Sequence, residues 1–341
     1  MEKEGLFTTV VGSFPLDNTK ENMIKAFEEQ VNMGIDYPCY PQLVPMIDQF
    51  LDPLSERISS LNKSNNGDYI LSGEFDIPHE PFALEYGRFM VDFFNERPYL
   101  KSMVKGTRAC LTGPFTLASE ILLNERLSKR VKPMIFKQPK AIGLEWVVDN
   151  LATIMKKIGK AYSDIGVNII SMDEPILGLI IGKKSYLHSE DYIIEKLNEA
   201  ISGIDDLSSI HVCGRVSPKL RDILLQTDID IMDHEFRNNE KNFEIFRKEH
   251  IEDVNKYLAM GVLKTNISPK DNAEVKDYVE DIDFLRKFIQ RGIDQYGKEN
   301  LLIKPDCGFG SLKEVFGEER AYTIVIKKLN NMVLAVNSLK G

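Results

Sequence analysis

Eight short apolar runs recur along the chain, and helical stretches separate most of them. The runs cover residues 7–12, 69–74, 107–112, 168–173, 209–213, 230–235, 258–263 and 301–304. Apolar residues recur near the 3.6-residue period at 145–165, 191–201, 275–296 and 318–339. Strand-length runs that alternate with helices are typical of parallel sheets, and eight such runs predict an α/β fold of the (β/α)8 barrel type.

No linker, internal repeat or low-complexity tract divides the chain. We therefore predict one domain over residues 1–341, a length that can form a single large α/β domain. The stretch from about 16 to 68 is long for one crossover between strands. We expect it to be an insertion that contains helices and a polar loop at 62–67.

Composition excludes several classes of function. The formal net charge is −9, and no run of Lys and Arg is interleaved with aromatic residues, so we expect no nucleic acid partner. No stretch reaches the roughly 20 apolar residues of a membrane helix, and we expect a cytoplasmic protein. Four cysteines in so long a chain do not suggest a disulfide framework, which leaves buried thiols, metal ligands or nucleophiles.

The residues with the most reactive side chains lie where the predicted strands end. They are Ser13, Glu74, Asp173, His211, Cys213, Glu235 and Cys307. In a (β/α)8 barrel the carboxyl ends of the strands meet at one mouth, and the chemistry takes place there. The sequence therefore predicts that these side chains share one site.

Four of these residues have the chemistry of a metal site. His211 and Cys213 are two positions apart, so on a strand both side chains point to the same side. Glu235 ends the next strand and Cys307 ends the last. Such scattered ligands are a weaker signal than a zinc-finger pattern, and a buried core cysteine with a neighbouring core histidine is the alternative.

The charges of this ligand set indicate the kind of reaction. Two thiolates and a carboxylate around zinc give a net charge of about −1, which makes the metal a poor activator of water. The same set suits a substrate thiol, whose pKa of about 8.5 leaves it mostly protonated at neutral pH without a metal. Alkylation of a thiol is therefore more consistent with the site than hydrolysis.

Five motifs resemble the catalytic barrel of cobalamin-independent methionine synthase, within the superfamily of uroporphyrinogen decarboxylase and the zinc thiol methyltransferases. They are TTVVGSFP at 8–15, LTGPFT at 111–116, MDEP at 172–175, HVC at 211–213 and PDCG at 305–308. Glu235 lies at the position of the remaining zinc ligand of that family. The resemblance covers most of the chain.

The resemblance implies a homocysteine methyltransferase of the core methionine synthase type. Its zinc ligands would be His211, Cys213, Glu235 and Cys307, with Glu235 and Asp173 as the catalytic residues. Homocysteine would be bound through its amino acid end by Gly12, Ser13 and Asp173. Glu74 corresponds less closely to a further carboxylate near the substrate amine.

Three departures from the family concern the methyl donor. The family has a histidine before Ser-Pro in the loop after the seventh strand, whereas this chain has KTNISP at 264–269. A methyl on folate leaves from nitrogen and needs an acid, whereas a methyl on cobalt does not. The family's tryptophan after Thr-Gly-Pro is also absent, since Ala118–Glu120 is there. We further expect a chain that begins at the catalytic barrel, without the family's N-terminal barrel that helps hold folate. We therefore expect as donor a methylated corrinoid on a carrier protein.

Two alternatives remain open from the sequence. A related zinc methyltransferase could act on coenzyme M or another thiol, although the sulfonate of coenzyme M would favour Arg or Lys where this chain has Asp173. A non-catalytic subunit that docks a corrinoid or methyl-carrier protein could hold zinc in a closed structural site.

Overall fold

A curled parallel sheet of seven strands forms the centre of the described chain. The structure is a computed structural model that describes residues 5–132, 135–182 and 187–340. Its strands are β1 Phe7–Thr8, β2 Leu61–Lys63, β3 Tyr69–Leu71, β4 Arg108–Thr112, β5 Ile121–Leu123, β6 Ile169–Asp173, β7 Leu207–Val212, β8 Ile231–His234, β9 Tyr257–Leu263 and β10 Leu301–Pro305. The parallel sheet has the order β1-β10-β9-β8-β7-β6-β4, which confirms seven of the eight predicted barrel strands.

Helices connect the parallel strands and cover the outside of the sheet. The α-helices are α1 Lys20–Met33, α2 Asp48–Ser55, α3 Glu85–Glu96, α4 Pro98–Lys101, α5 Pro114–Glu120, α6 Glu125–Ser128, α7 Glu145–Asp164, α8 Pro175–Ile180, α9 Glu190–Ile201, α10 Pro218–Leu225, α11 Asn242–Ile245, α12 Lys248–Glu252, α13 Ile282–Tyr296, α14 Leu312–Phe316 and α15 Glu318–Lys340. Short 3-10 helices cover Ala141–Gly143, Val275–Tyr278 and Lys298–Asn300. Among the described residues, no helix has the length and apolar character needed to cross a bilayer.

The four predicted helices are present, one of them in two pieces. Residues 145–165, 191–201 and 318–339 correspond to α7, α9 and α15. The predicted helix at 275–296 divides into a 3-10 turn and α13. The division occurs because Asp281 is extended and its side chain accepts hydrogen bonds from the backbone N–H groups of Asp283 and Phe284, which starts a new helix there.

The predicted second barrel strand, 69–74, is wrong. Its first half is β3, which pairs antiparallel with β2 and parallel with β5 in a separate three-stranded sheet. Of the polar stretch 62–67 that we expected as a loop, 62 and 63 belong to β2, and 64–67 close the β2–β3 hairpin, with Gly67 at a positive φ of 87°. A strand-like sequence predicts strand formation, but the pairing partner is decided by tertiary contacts.

The segment 37–42 lies between the two edges of the parallel sheet instead. Isolated parallel bridges join Thr9 to Tyr37 on one side and Cys39 to Arg108 on the other. Pro38 and Pro41 lie in this segment and have no N–H group, so it cannot form a continuous ladder. Because prolines are unfavourable in regular strands, the sequence of this segment did not predict a strand.

Candidate functional site

Three potential metal ligands converge at the carboxyl ends of β7 and β10. His211 Nε2 lies 3.0 Å from Cys213 Sγ, and Cys213 Sγ lies 3.4 Å from Cys307 Sγ. All three potential ligand atoms lie within 4.8 Å of one another. His211 is buried, whereas both cysteines are partly exposed. We call these three residues the ligand cluster.

The ligand cluster has the dimensions and chemistry that zinc requires. Zinc prefers sulfur and imidazole ligands at about 2.3 and 2.0 Å, so tetrahedral ligand atoms would be roughly 3.5–3.8 Å apart. The observed separations of 3.0 and 3.4 Å are slightly shorter, and small side-chain rotations would open them. The residues present therefore fit zinc.

Glu235, the predicted fourth ligand, lies near the cluster but outside it. Its carboxylate is absent from the set of ligand atoms that converge among the described residues. Instead, its Oε2 accepts a hydrogen bond from Asn239 Nδ2 at 2.6 Å. Its negative charge nevertheless contributes to raising the pKa of Cys213. The position of Glu235 leaves its role as a ligand a prediction.

The two cysteines of the ligand cluster have pKa values shifted in opposite directions. The hydrogen bond to Cys307 and burial raise the pKa of the Cys213 thiol. The hydrogen bond from Cys213 lowers the pKa of Cys307 well below its ordinary value, against the effect of burial. Burial alone would lower the pKa of His211, but the Asp233 carboxylate outweighs it and raises this pKa to about 10. Cys307 is therefore the sulfur that ionises first.

Asp233 is a site residue that sequence reasoning missed. It is fully buried, accepts hydrogen bonds from His211 Nδ1 at 2.7 Å and from Arg108 Nη2 at 2.8 Å, and forms an ion pair with Lys304 Nζ at 2.7 Å. Burial would raise the pKa of Asp233, but Lys304, His211 and Arg108 hold it well below its ordinary value. The signal was present, because Asp233 lies two residues before Glu235 and opposite His211 in the parallel register.

Asp173 provides an unpaired carboxylate oxygen beside the ligand cluster. It ends β6 and is the register partner of His211 on β7. Asp173 is 5% exposed, and its Oδ1 has no hydrogen-bond partner within the described residues. Burial raises the pKa of Asp173 to about 7, although His211 and Arg108 act to lower it. A buried carboxylate oxygen without a donor is rare in native proteins and suits a cationic ligand group.

Ser13 contacts the loop that follows Cys307. Its backbone carbonyl accepts from Phe309 N at 2.9 Å, and its Oγ accepts from Gly310 N at 3.2 Å. These contacts connect the turn after β1 to the end of β10, so the predicted residue lies close in space to a cluster residue. Gly308 is needed here because a Cβ would lie 2.6 Å from Ser13 Cβ.

Gly12 makes the turn before Ser13 possible. Its φ of 109° is rare for any residue with a side chain, and a Cβ there would lie 2.9 Å from Cys39 Sγ. Cys39 in turn contacts Cys110, with 3.6 Å between the two sulfurs, and both residues are buried. Cys39 and Cys110 therefore form a second thiol pair, packed in the core beneath the turn.

Glu74 is the predicted site residue that the structure does not connect to the others. It is exposed and follows β3 of the small sheet. No hydrogen bond or ion pair of its side chain is found among the described residues. Its proposed contact with a substrate amine stays a prediction.

Two further buried carboxylates hold the loops around the site. Glu174 accepts from Phe115 N, Thr116 N and Thr116 Oγ1 at 2.6–2.9 Å, which connects the MDEP turn to the LTGPFT motif. Asp306 accepts from Phe236 N and Arg237 N, both at 2.9 Å, and so connects the loop after Glu235 to the one before Cys307. The acidic residues of the MDEP and PDCG motifs, Glu174 and Asp306, therefore have a structural role in holding these loops.

Comparison with known proteins gives a consistent family. Residues 97–338 match the family described as "Cobalamin-independent synthase, Catalytic domain". The methionine synthase of Methanothermobacter thermautotrophicus is 29% identical over 235 residues, which are 69% of this chain but only 64% of that protein. The methionine synthase of Methanocaldococcus jannaschii is 24% identical over 357 residues, covering 98% of this chain and all of that one.

Solved structures support the fold. A B12-independent methionine synthase from Shewanella sp. W3-18-1, in complex with selenomethionine, superposes with a TM-score of 0.66 at 16% identity, covering 98% of each chain. A methyltransferase from Methanosarcina mazei gives a TM-score of 0.61 at 13% identity, covering 99% of this chain and 95% of that one. At these identities the likeness concerns the fold alone.

Proposed function

The chain belongs to the family of cobalamin-independent synthase catalytic domains, and from this premise we propose that it transfers a methyl group to the thiol of homocysteine, giving methionine, with the help of zinc. The observation that carries the proposal is the ligand cluster beside Asp173. Two sulfurs and an imidazole nitrogen converge there next to a buried, unpaired carboxylate oxygen. This combination suits a substrate that has both a thiol and an ammonium group.

Zinc would be held by His211, Cys213 and Cys307, and Glu235 would leave Asn239 to fill the fourth position only until the substrate thiol takes that position. When bound, zinc supplies a lower pKa for the substrate thiol and a fixed position for its sulfur. The anionic ligands favour a nucleophilic sulfur over activation of water. Methyl transfer then depends mainly on the alignment of sulfur, methyl and leaving group.

Asp173 would bind the ammonium group of homocysteine. Its unpaired Oδ1 gains a charge-assisted hydrogen bond from that group, which compensates for the burial of the carboxylate. The turn at Gly12 and Ser13 would receive the substrate carboxylate. This arrangement disfavours coenzyme M, because a sulfonate beside Asp173 would meet like charge.

We propose a methylated corrinoid as the donor, a second substrate that a carrier protein could deliver. The support is the loop after β9, where 264–269 contains no histidine to protonate a leaving nitrogen. Purified protein with homocysteine should make methionine from methylcobalamin and not from methyltetrahydrofolate. Turnover with methyltetrahydrofolate alone would contradict the proposed donor but would leave the proposed zinc site unaffected.

We further propose that residues 1–341 form a single domain and that segment 37–42 completes the barrel as its second strand position. The bridges of Tyr37 to Thr9 and of Cys39 to Arg108 support this closure. Backbone hydrogen bonds from Tyr37 N to Thr8 O and from Arg108 N to Pro38 O add to it.

The zinc site is tested by Cys307→Ser. The variant should lose stoichiometric zinc and homocysteine methylation, because a serine oxygen is a poor zinc ligand compared with a thiolate. Metal content by mass spectrometry and methionine formation are the measurements. Cys39→Ala is the matched control, since its thiol contacts Cys110 instead of the ligand cluster, and it should retain zinc. A Cys307→Ser protein with full zinc and full activity would overturn the site.

A further inference from the structure

A layer of buried charge lies directly beneath the ligand cluster. Arg108 on β4, Asp233 on β8 and Lys304 on β10 are at most 1% exposed, and together with His211 on β7 they span the sheet. Both cations of this layer contact the carboxylate of Asp233. A buried ion network is weak evidence for stability, because apolar residues often replace one without loss. The arrangement therefore calls for a functional explanation.

Asp233 is the centre of this layer. Its Oδ1 accepts a hydrogen bond from His211 Nδ1 and forms an ion pair with Lys304 Nζ, and its Oδ2 accepts a hydrogen bond from Arg108 Nη2. An ionised carboxylate can only accept hydrogen bonds, so Nδ1 of His211 must carry a proton. In the neutral imidazole, Nε2 then has the free lone pair, and Nε2 is the atom that faces Cys213.

Lys304 extends the influence of Asp233 to a second ligand. Its Nζ also donates to the backbone carbonyls of Pro305 at 2.8 Å and Asp306 at 2.9 Å. These two residues lead directly into Cys307. In the sheet, β8 and β9 lie between β7, which carries His211, and β10, which leads to Cys307. The carboxylate of Asp233 nevertheless reaches both sides, because it contacts His211 directly and the residues before Cys307 through Lys304.

We propose that Asp233 is a positioning residue that sets the geometry of two metal ligands on non-adjacent strands, His211 through its Nδ1–H and Cys307 through Lys304. This inference rests on the proposed zinc site. Arg108 saturates the remaining oxygen of Asp233 and donates from the same Nη2 to Ser171 Oγ at 2.8 Å, which fixes the layer from the side of β4 and β6. The Nδ1–H group of His211 is thereby directed at a carboxylate that is itself held in place.

The test is the zinc affinity of Asp233→Asn. The amide has nearly the same shape, but it lacks the charge that holds Lys304 and Arg108, and it can present its NH2 group to Nδ1. We expect zinc affinity, measured by competition with a chromogenic chelator, to fall about 10- to 100-fold. Ser209→Ala, which lies two residues before His211 and removes a buried hydroxyl without a described partner, is the matched control and should retain wild-type affinity.

A spectroscopic measurement separates positioning from loss of structure. In the zinc-loaded wild-type protein, the Nδ1–H proton of His211 should resonate far downfield, as expected for a hydrogen bond to a carboxylate. In Asp233→Asn it should move upfield or disappear, while the thermal unfolding transition stays cooperative. Asp233→Glu keeps the charge but displaces it, and should give an intermediate affinity; it also serves the comparison if the asparagine variant does not fold.

The outcomes distinguish the two proposals. Wild-type protein without stoichiometric zinc would contradict the proposed function itself. Zinc-binding wild type together with an Asp233→Asn variant of equal affinity and an unmoved Nδ1–H resonance would overturn the positioning role alone.

Discussion

At the scale of single residues, the site depends on which polar atoms have partners. Asp233 has two hydrogen-bond donors and an ion-pair partner, whereas Asp173 has an oxygen with no donor among the described residues, although both are buried carboxylates on neighbouring parts of the same sheet. The saturated carboxylate is suited to holding protein groups in place. The unsaturated one is suited to receiving a ligand.

Asp173→Asn tests this division. Loss of a charge-assisted hydrogen bond costs about 1.5–3 kcal/mol, so KM for homocysteine should rise about 10- to 100-fold while zinc content stays stoichiometric. Steady-state kinetics and metal analysis on the same preparation give both values. Asp68→Asn is the matched comparison, because its exposed side chain lies in the β2–β3 hairpin and should not change KM. An unchanged KM in Asp173→Asn would remove Asp173 from the substrate site.

The sequence predicted the residues of the site better than their grouping. His211 and Cys213 are found from a local spacing, and Cys307 from its Pro-Asp-Cys-Gly turn. Glu235 ends the expected strand, but its side chain contacts Asn239, a preference that depends on a loop and not on spacing. Asp233 was overlooked because an acidic residue inside a buried strand gives no local sign of the two cations that neutralise it.

At the scale of elements, the loops at the barrel mouth are held by buried carboxylates that accept backbone N–H groups. Glu174 follows β6 and holds the first turn of α5, and there is no space beside it. A Cβ at Gly113 would lie 2.2 Å from Glu174 Oε1 and 2.3 Å from its Cδ. Gly113 is therefore a packing requirement of the LTGPFT motif.

Gly113→Ala should destabilise the protein by about 1–3 kcal/mol, because Glu174 is fixed by three hydrogen bonds and cannot move away. Urea unfolding followed by circular dichroism measures the change. Gly182→Ala is the matched control, since no described atom lies within 4 Å of the added Cβ, and it should stay within about 0.5 kcal/mol of wild type. Equal midpoints for both variants would show that the loop adapts.

The elements themselves were predictable where local pattern and tertiary role agree. Seven parallel strands and helices such as α7 and α15 follow from runs of apolar residues and their period. The segment between the edges of the sheet was not predictable, because Pro38 and Pro41 remove the strand signal. The strand at Tyr69–Leu71 was found but assigned to the wrong sheet, since pairing is not written in a local pattern.

At the scale of the whole molecule, the size of the apolar core leads us to expect folding without a metal in the ligand cluster. One large apolar cluster runs from Leu6 to Val336 and includes the helices that cover the sheet. The ligand cluster lies at one rim of this core and is joined to it by the charged layer of Arg108, Asp233 and Lys304. A chain with such a core resembles a metal-free scaffold more than a zinc finger.

Removal of zinc should therefore lower the thermal midpoint by only a few degrees. Binding at 100 times Kd stabilises the native state by about 2.7 kcal/mol, which is small beside the unfolding enthalpy of a chain of this size. Thermal unfolding with and without a chelator measures the shift, and added zinc should reverse it. Collapse of the circular dichroism signal on chelation at 25 °C would contradict this view and make the metal structural.

The two thiol pairs differ in depth, and this difference determines how the protein would age. Cys213 and Cys307 are partly open to solvent at the rim, whereas Cys39 and Cys110 are sealed in the core. Peroxide or disulfide reagents therefore reach the functional sulfurs first. Oxidised protein would therefore remain folded but lose its catalytic activity. Mild reductants would restore the activity as long as the rim sulfurs had been oxidised no further than a disulfide.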